Sequence, residues 1–432
     1  MSHAQKLAEA FEKVAGFGLP IGLKAWDGST AGPGTGPGTG PVAVLNSPRA
    51  LRWMLWYPAE LALAHAYVSG DLDVIGDLGE GLRTMWTAAA QRTSPRRGRA
   101  RALASAARLA WSLGVVGAKP KAPEATADLD GEVNSRDRDR AAIGHHYDLS
   151  NRFYGLLLDP TMAYSCAYWT RDEPGYGLEQ AQRDKLDLVC RKLGLRPGMR
   201  LLDVGCGWGS LSLYAGLIYG VEVTALTLSR QQHAHVRDRV ADLGLGDRVE
   251  VHHLDWRDLP DGDFDAVAAI EMGEHVGEGN YPRFAERLGS LLVPGGRLLI
   301  QQMSRAAGTA PGGGPFIETY IAPDMHMRPV GRTVDILESR GLEVRDVEAM
   351  REHYVRTVDV WIETLEERWG DFVALAGVET ARVWRLYLIG GRLAFEQGRM
   401  GVDQILAVRP GPLGASGVPA TRAWALGEVP GV

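Results

Sequence analysis

The sequence predicts a doubly wound, Rossmann-like α/β sheet with helical lid insertions, preceded by a small N-terminal domain. Three observations carry that reading. Beyond residue 180, short apolar runs alternate with helical patterns, as a mostly parallel sheet requires. The first of these runs ends in a glycine-rich turn, Gly205-Cys206-Gly207-Trp208-Gly209. A Gly/Pro/Thr stretch at 28–41 and a polar, proline-bearing stretch at 118–140 punctuate the earlier residues.

Taken in order, residues 1–92 are expected to form the small domain. The stretch GSTAGPGTGPGTGP at 28–41 reads as a flexible loop within it. Apolar residues recur at helical spacing over 48–57 and 59–69, the second run closed by Gly70. Residues 93–140 read as a basic helix and a linker. Arg96, Arg97, Arg99, Arg101 and Arg108 stand beside Leu103, Leu109, Trp111 and Leu113. Such a helix could lie on anionic headgroups, each basic residue contributing about 1 kcal/mol, or dock as a connector on its own protein. Residues 141–432 form the larger domain. Its predicted strands are 200–204, 221–226, 249–254, 264–270 and, after the turn Pro294-Gly295-Gly296, 297–302.

The 432 residues are 45% hydrophobic and 23% charged, an ordinary globular balance. A net charge of −6 offers no whole-molecule attraction to nucleic acid, so any basic contact surface is local. Cys166, Cys190 and Cys206 form no CxxC pair, which fits a reducing cytoplasm and argues against a disulfide framework or a zinc site. His252 and His253 point to opposite faces of a strand, and His145-His146 lacks a third ligand, so no metal is expected. There is no run of about 18 apolar residues, the length needed to span a bilayer. The chain is therefore expected to be cytoplasmic, soluble or peripheral.

The glycine turn lets the backbone bend sharply and approach a ligand before a helix starts near Ser210. Asp203 lies two positions before the first glycine, at the end of a buried strand. A dinucleotide site would need GxGxxG and an acidic ribose ligand about twenty residues on. Thr227-Leu228-Ser229 stands near that position instead. The pattern favours S-adenosylmethionine over NAD, with Asp203, Gly205 and Gly207 at the cofactor. Asp255-Trp256-Arg257-Asp258 follows the third strand and is placed to cover an adenine ring, Trp256 by stacking and Asp255 or Arg257 by hydrogen bonding. Alternatively, it is a surface loop with one partly buried tryptophan.

Further segments resemble the cyclopropane fatty acid synthase and mycolic acid cyclopropane synthase family. They are residues 146–151, 159–169, Glu274-His275-Val276-Gly277, 353–361 and Tyr387-Leu388-Ile389-Gly390-Gly391. The resemblance implies methyl transfer from S-adenosylmethionine to the cis double bond of an acyl chain, usually on a phospholipid. It adds Tyr164, Ser165, Thr227, Leu228, Gln232 and Trp256 to the cofactor site. It also implies a bicarbonate base held by Cys166, Glu274, Tyr354 and a histidine, where this chain has Gln301. Two further departures are Gly273, in place of an aromatic residue, and the extra acid Glu271. Gln301 keeps a hydrogen-bond donor, so an anion could still bind there, or Glu274 or Glu271 could act directly; this changed base and the space opened at Gly273 argue against simple cyclopropanation.

An alkene is a poor nucleophile, and its methylation leaves a carbocation that water would capture. Tyr147, Phe153, Tyr354, Tyr387 and Phe395 fall on or beside the motifs and could face that cation, or serve as ordinary core aromatics. Gln301-Gln302-Met303-Ser304 resembles the actinobacterial branch making tuberculostearic acid. That resemblance implies a 10-methylene product, a separate FAD- and NADPH-dependent reductase, and a peripheral position at the inner face of the membrane; it allows a homo-oligomer. Cyclopropane is the alternative product. A lipid-binding module without catalysis and an oxygen or nitrogen methyltransferase are the rival classes.

Overall fold

The computed structural model describes the chain apart from residues 35–39, 92–107, 127–137, 139–149, 423 and 425–432. The chain divides into two compact units. The first comprises Met1–Thr126, Pro315–Tyr320 and Trp369–Leu393; the second comprises Ala127–Gly314, Ile321–Arg368 and Ala394–Val432.

In the first unit, helix α1 (His3–Ala15) starts on a Ser2–Gln5 capping box and stops at left-handed Gly16. Strands β1 (Gly22–Lys24), β2 (Thr30–Ala31), β3 (Val42–Leu45) and β4 (Leu72–Ile75) form a sheet in the order β2-β1-β3-β4. Thr30 and Ala31, inside the glycine-rich stretch, pair antiparallel with β1. Helices α2 (Arg49–Trp56), α3 (Ala59–Val68) and α4 (Leu78–Ala90) also belong to this unit. Its core holds Trp53, whose Nε1 donates to Asp71 Oδ2 at 3.0 Å.

The second unit contains the doubly wound sheet. Its helices are α5 (Asn151–Leu157), α6 (Leu178–Leu193), α7 (Ser210–Tyr214), α8 (Arg230–Asp242), α9 (Tyr281–Ser290), α10 (Val330–Ser339) and α11 (Arg351–Glu367). Its strands are β5 (Arg200–Val204), β6 (Glu222–Thr227), β7 (Val249–His253), β8 (Phe264–Ile270), β9 (Leu292–Ser304), β10 (Glu343–Ala349) and β11 (Gly401–Val408). The order is β10-β11-β9-β8-β5-β6-β7, with β11 antiparallel to both neighbours. Strand residues alternate between two cores, as the period of two demands. Leu202, Val204, Val267, Ala269, Leu298 and Ile300 face α9 and α10. Leu201, Ala266, Ala268 and Leu299 face α6, α7 and α8.

The predicted strands are all present. β9 starts earlier than expected because its register shifts between Phe264 and Ala266 of β8, absorbing Pro294-Gly295-Gly296 into the strand. β10 and β11 were not foreseen. β5 leads through α7 to β6 on one side, whereas β8 returns to its other side. That reversal opens a crevice at the carboxyl ends of β5 and β8. No described helix is long and apolar enough to cross a membrane.

Candidate active site

A cavity occupies this crevice. From the strand ends it is lined by Asp203, Gly205, Gly207, Ile270 and Glu271; Ser210, Gln232, Tyr164, Ser165 and Lys185 close it. Gly205, Gly207 and Gly209 have φ of 83°, 55° and 86°, so the turn uses the left-handed freedom that glycine alone has cheaply. A side chain at Gly205 would strike Met272. Ser229 caps α8 by accepting from the Gln232 amide, and Thr227 Oγ1 donates to Gln232 Oε1 at 2.7 Å. Those bonds hold Gln232 at the cavity wall.

Asp203 is buried and accepts from Ser212 Oγ at 2.6 Å, and burial pushes its carboxyl up to about 6. Tyr164 packs between Tyr154 and Trp361. Ser165 Oγ accepts from Lys185 Nζ at 2.9 Å, and its carbonyl accepts from Gln182 Nε2 at 2.8 Å. Thus Tyr164, Ser165, Asp203, Gly205, Gly207 and Gln232 converge on one cavity.

Thr227, Leu228, Trp256 and Arg257 stand outside that lining, at the ends of β6 and β7. Trp256 is buried edge-to-face on Phe284. Arg257 grips Asp255 through Nε at 2.8 Å and Nη2 at 2.6 Å, a bidentate pair that satisfies both side chains without a ligand.

Beyond the glycine turn, a partly buried carboxylate sits where three donors meet. Glu271 follows β8 with a left-handed backbone, φ 49°, a conformation costing a non-glycine residue about 1–3 kcal/mol. Its Oε1 accepts from the Cys166 amide at 2.7 Å and from Gln301 Nε2 at 2.8 Å. Its Oε2 accepts from the Tyr354 hydroxyl at 2.6 Å. Burial raises the Glu271 carboxyl, while the three donors and Lys185 act to lower it. Cys166 contributes its backbone N–H here. Its thiol is fully buried, and burial pushes it well above the usual range. Gln301 is fixed in turn by Gln404, whose Nε2 donates to Gln301 Oε1 at 2.9 Å.

Glu274 lies just beyond. Its Oε1 accepts from the Met303 amide at 2.7 Å, and its buried Oε2 has no hydrogen-bond partner among the described residues. Burial, with Glu271 nearby, pushes its carboxyl up to about 8. Tyr354 packs against Phe395, ring centroids 4.5 Å apart, and Phe153 is buried against Tyr154. Tyr387 lies in the first unit, edge-on to Trp384. Tyr147, and His145-His146, lie outside the described residues.

The expected space at Gly273 is absent. A Cβ there would collide with Gln302 Oε1, which accepts from the Tyr281 hydroxyl at 2.6 Å, while Gln302 Nε2 donates to Thr333. The side chain two residues after Ile300 fills what the missing aromatic ring was expected to vacate.

Two site residues escaped the sequence reading. Lys185 is buried, and its ammonium faces the charges of Glu271, Asp159 and Asp203. Its spacing with Gln182 and Val189 on one face of α6 was the available signal. Gln404 went unnoticed because β11 did.

Residues 134–405 match the profile of the mycolic acid cyclopropane synthetase family. The chain belongs to this family. It is 39% identical over 431 residues to "Probable fatty acid methyltransferase Rv3720" of Mycobacterium tuberculosis, covering 97% of this chain and 98% of that one. It is 36% identical over 290 residues to "Tuberculostearic acid methyltransferase UfaA1" of the same organism, covering 65% of this chain and 67% of the relative. Among solved structures, mycolic acid cyclopropane synthase CmaA1 complexed with SAH and CTAB superposes with a TM-score of 0.58 at 34% identity, covering 62% of this chain and 97% of that one. The mycolic acid cyclopropane synthetase family to which the chain belongs comprises S-adenosylmethionine-dependent methyltransferases that modify fatty acids.

Proposed function

We propose that the chain methylates the cis double bond of an unsaturated, oleoyl-type phospholipid acyl chain, leaving a 10-methylene branch. A separate FAD- and NADPH-dependent reductase would saturate that branch to the 10-methyl, tuberculostearic form. The observation that carries this reading is the continuity of the glycine-turn cavity with a partly buried, hydrogen-bonded carboxylate, Glu271. Methyl transfer to oxygen or nitrogen needs a base beside a polar acceptor. Methyl transfer to an alkene needs a base in dry, aromatic surroundings, because the proton leaves carbon.

Asp203, Gly205, Gly207, Gln232, Tyr164 and Ser165 would hold S-adenosylmethionine, with Thr227, Leu228, Trp256 and Arg257 toward its outer end. When bound, it supplies an electrophilic methyl group on sulfur. The acyl chain would pass Phe153 and Phe395 of the second unit. The faces of Tyr354 and Phe395 would stabilise the substrate carbocation without reacting with it. Burial of this region excludes the water that would otherwise trap the cation.

Cyclopropane formation at the same double bond is the second reading, favoured by relatives whose names are cyclopropane synthases. Labelled S-adenosylmethionine with oleoyl or fully saturated phospholipid tests the acceptor: label is expected only in the oleoyl lipid, and equal labelling removes the alkene from consideration. Mass spectrometry of lipids from cells lacking the reductase tests the product. A methylene chain hydrogenates readily over catalyst, whereas a cyclopropane resists.

We also propose a peripheral position at the inner, cytoplasmic face of the membrane. Support comes from Trp111 and Trp56 of the first unit, 78% and 49% exposed, since tryptophan is favoured at headgroup depth.

A further inference from the structure

We propose that Glu271 is the proton acceptor of this site and stands, as part of the chain, where a dissolved bicarbonate ion would otherwise be held. The proposal rests on the alkene methylation proposed above.

A small planar anion would need the Cys166 amide, Gln301 and Tyr354 as donors. All three already point at the two oxygens of Glu271, at 2.7, 2.8 and 2.6 Å. A bicarbonate ion has the same charge and the same O–C–O fork as a carboxylate, so the two compete for one set of donors. The residues present therefore do not fit a second anion. Glu271 also lines the cavity, which places its side chain at the wall that the bound reactants would touch. Three features show how it is held there. Its own amide donates to the Gln301 carbonyl at 2.6 Å. Its backbone is left-handed, where glycine would be the easy choice. Lys185, buried nearby, supplies a positive charge that favours the carboxylate.

In the step assigned to Glu271, the alkene has taken the methyl group and one former alkene carbon is cationic. The Glu271 carboxylate removes one proton from the transferred methyl carbon. The C–H electron pair becomes the new bond, either the third side of a cyclopropane or, after a hydride shift, the exocyclic double bond. The proton passes to solvent as product leaves. S-Adenosylmethionine and alkene thus give S-adenosylhomocysteine, the methylated chain and one proton, with no outside oxidant or reductant.

The test uses the full chain with oleoyl phospholipid vesicles and labelled S-adenosylmethionine, in carbon-dioxide-free buffer with or without millimolar bicarbonate. Turnover of the unchanged protein is expected to be the same in both. Glu271→Gln, which keeps the cradle filled but cannot take the proton, is expected to lose about a hundred-fold or more, with no recovery on adding bicarbonate. Glu271→Gly suits the left-handed backbone and empties the cradle. It is expected to lose turnover and to regain it with bicarbonate. Carbon-13 NMR of labelled bicarbonate supplies a readout apart from turnover: binding is expected to Glu271→Gly and not to the unchanged protein, with thermal unfolding confirming that both variants are folded. Bicarbonate dependence of the unchanged protein, full turnover by Glu271→Gln, or a folded Glu271→Gly that neither binds nor uses bicarbonate would each overturn the proposal. If the unchanged protein methylates no oleoyl lipid, the function proposed above fails, and the NMR measurement still decides whether Glu271 occupies the anion site.

Discussion

Glu274 is buried with one carboxylate oxygen lacking a hydrogen-bond partner among the described residues, and burial pushes its carboxyl from the ordinary 4.5 up to about 8. Between those values, the folded protein keeps a proton that the unfolded chain has released. Raising the pH through that window therefore favours unfolding, by at most about 1.4 kcal/mol per pH unit. Glu274→Gln should flatten the dependence: urea midpoints measured from pH 5 to 8 should fall less steeply than in the unchanged protein, and identical slopes would show that Glu274 is not held neutral. At Gly273 the prediction is steric. Gly273→Ala displaces Gln302 from Tyr281 and Thr333, so the loss of stability should be about 1–3 kcal/mol. A thermal midpoint unchanged by this substitution would show that Gln302 has an equivalent place to go.

At the scale of elements, the antiparallel strand β11 brings Gln404 to Gln301 and Asp403 to Ser304, whose Oγ donates to Asp403 Oδ2 at 2.6 Å. Polar residues in mid-strand broke the apolar pattern by which the other strands were recognised, and their partners lie about a hundred residues away in sequence. The neighbouring strand β10 is tied to α6 by a buried cation. Lys192 Nζ reaches Glu348 Oε2 at 2.5 Å and Asp346 Oδ2 at 3.4 Å. Lys192→Met removes the charge and keeps the bulk, leaving two acids short of a partner. It should destabilise the protein by about 3 kcal/mol, read from chemical denaturation. A smaller loss than about 1 kcal/mol would mean that Arg422 and Tyr168 satisfy these acids unaided.

For the whole molecule, the proposed peripheral position rests on apolar side chains that the first unit exposes. The exposed tryptophans of the first unit give the expectation its test. Trp56→Ser with Trp111→Ser should weaken cosedimentation with anionic vesicles several-fold, while leaving S-adenosylmethionine binding intact. Undiminished cosedimentation would place membrane contact elsewhere.

Five strands of the larger sheet, its glycine turn and the family were legible along the chain, because each is written in neighbouring residues: apolar runs, glycines after a buried strand, and contiguous motifs. The sequence also brought Cys166, Glu274, Tyr354 and Gln301 forward as candidates, and it flagged Glu271 as an additional acid. What those residues do to one another emerges from the folded arrangement. Glu271 takes all three donors, Cys166 acts through its backbone, Gln302 fills the space beside Gly273, and Lys185 faces three acids. Each of these is a contact between distant segments inside a dry core. There, occupancy by one side chain excludes another group and an uncompensated charge is too costly to leave, and neither condition is visible along the chain.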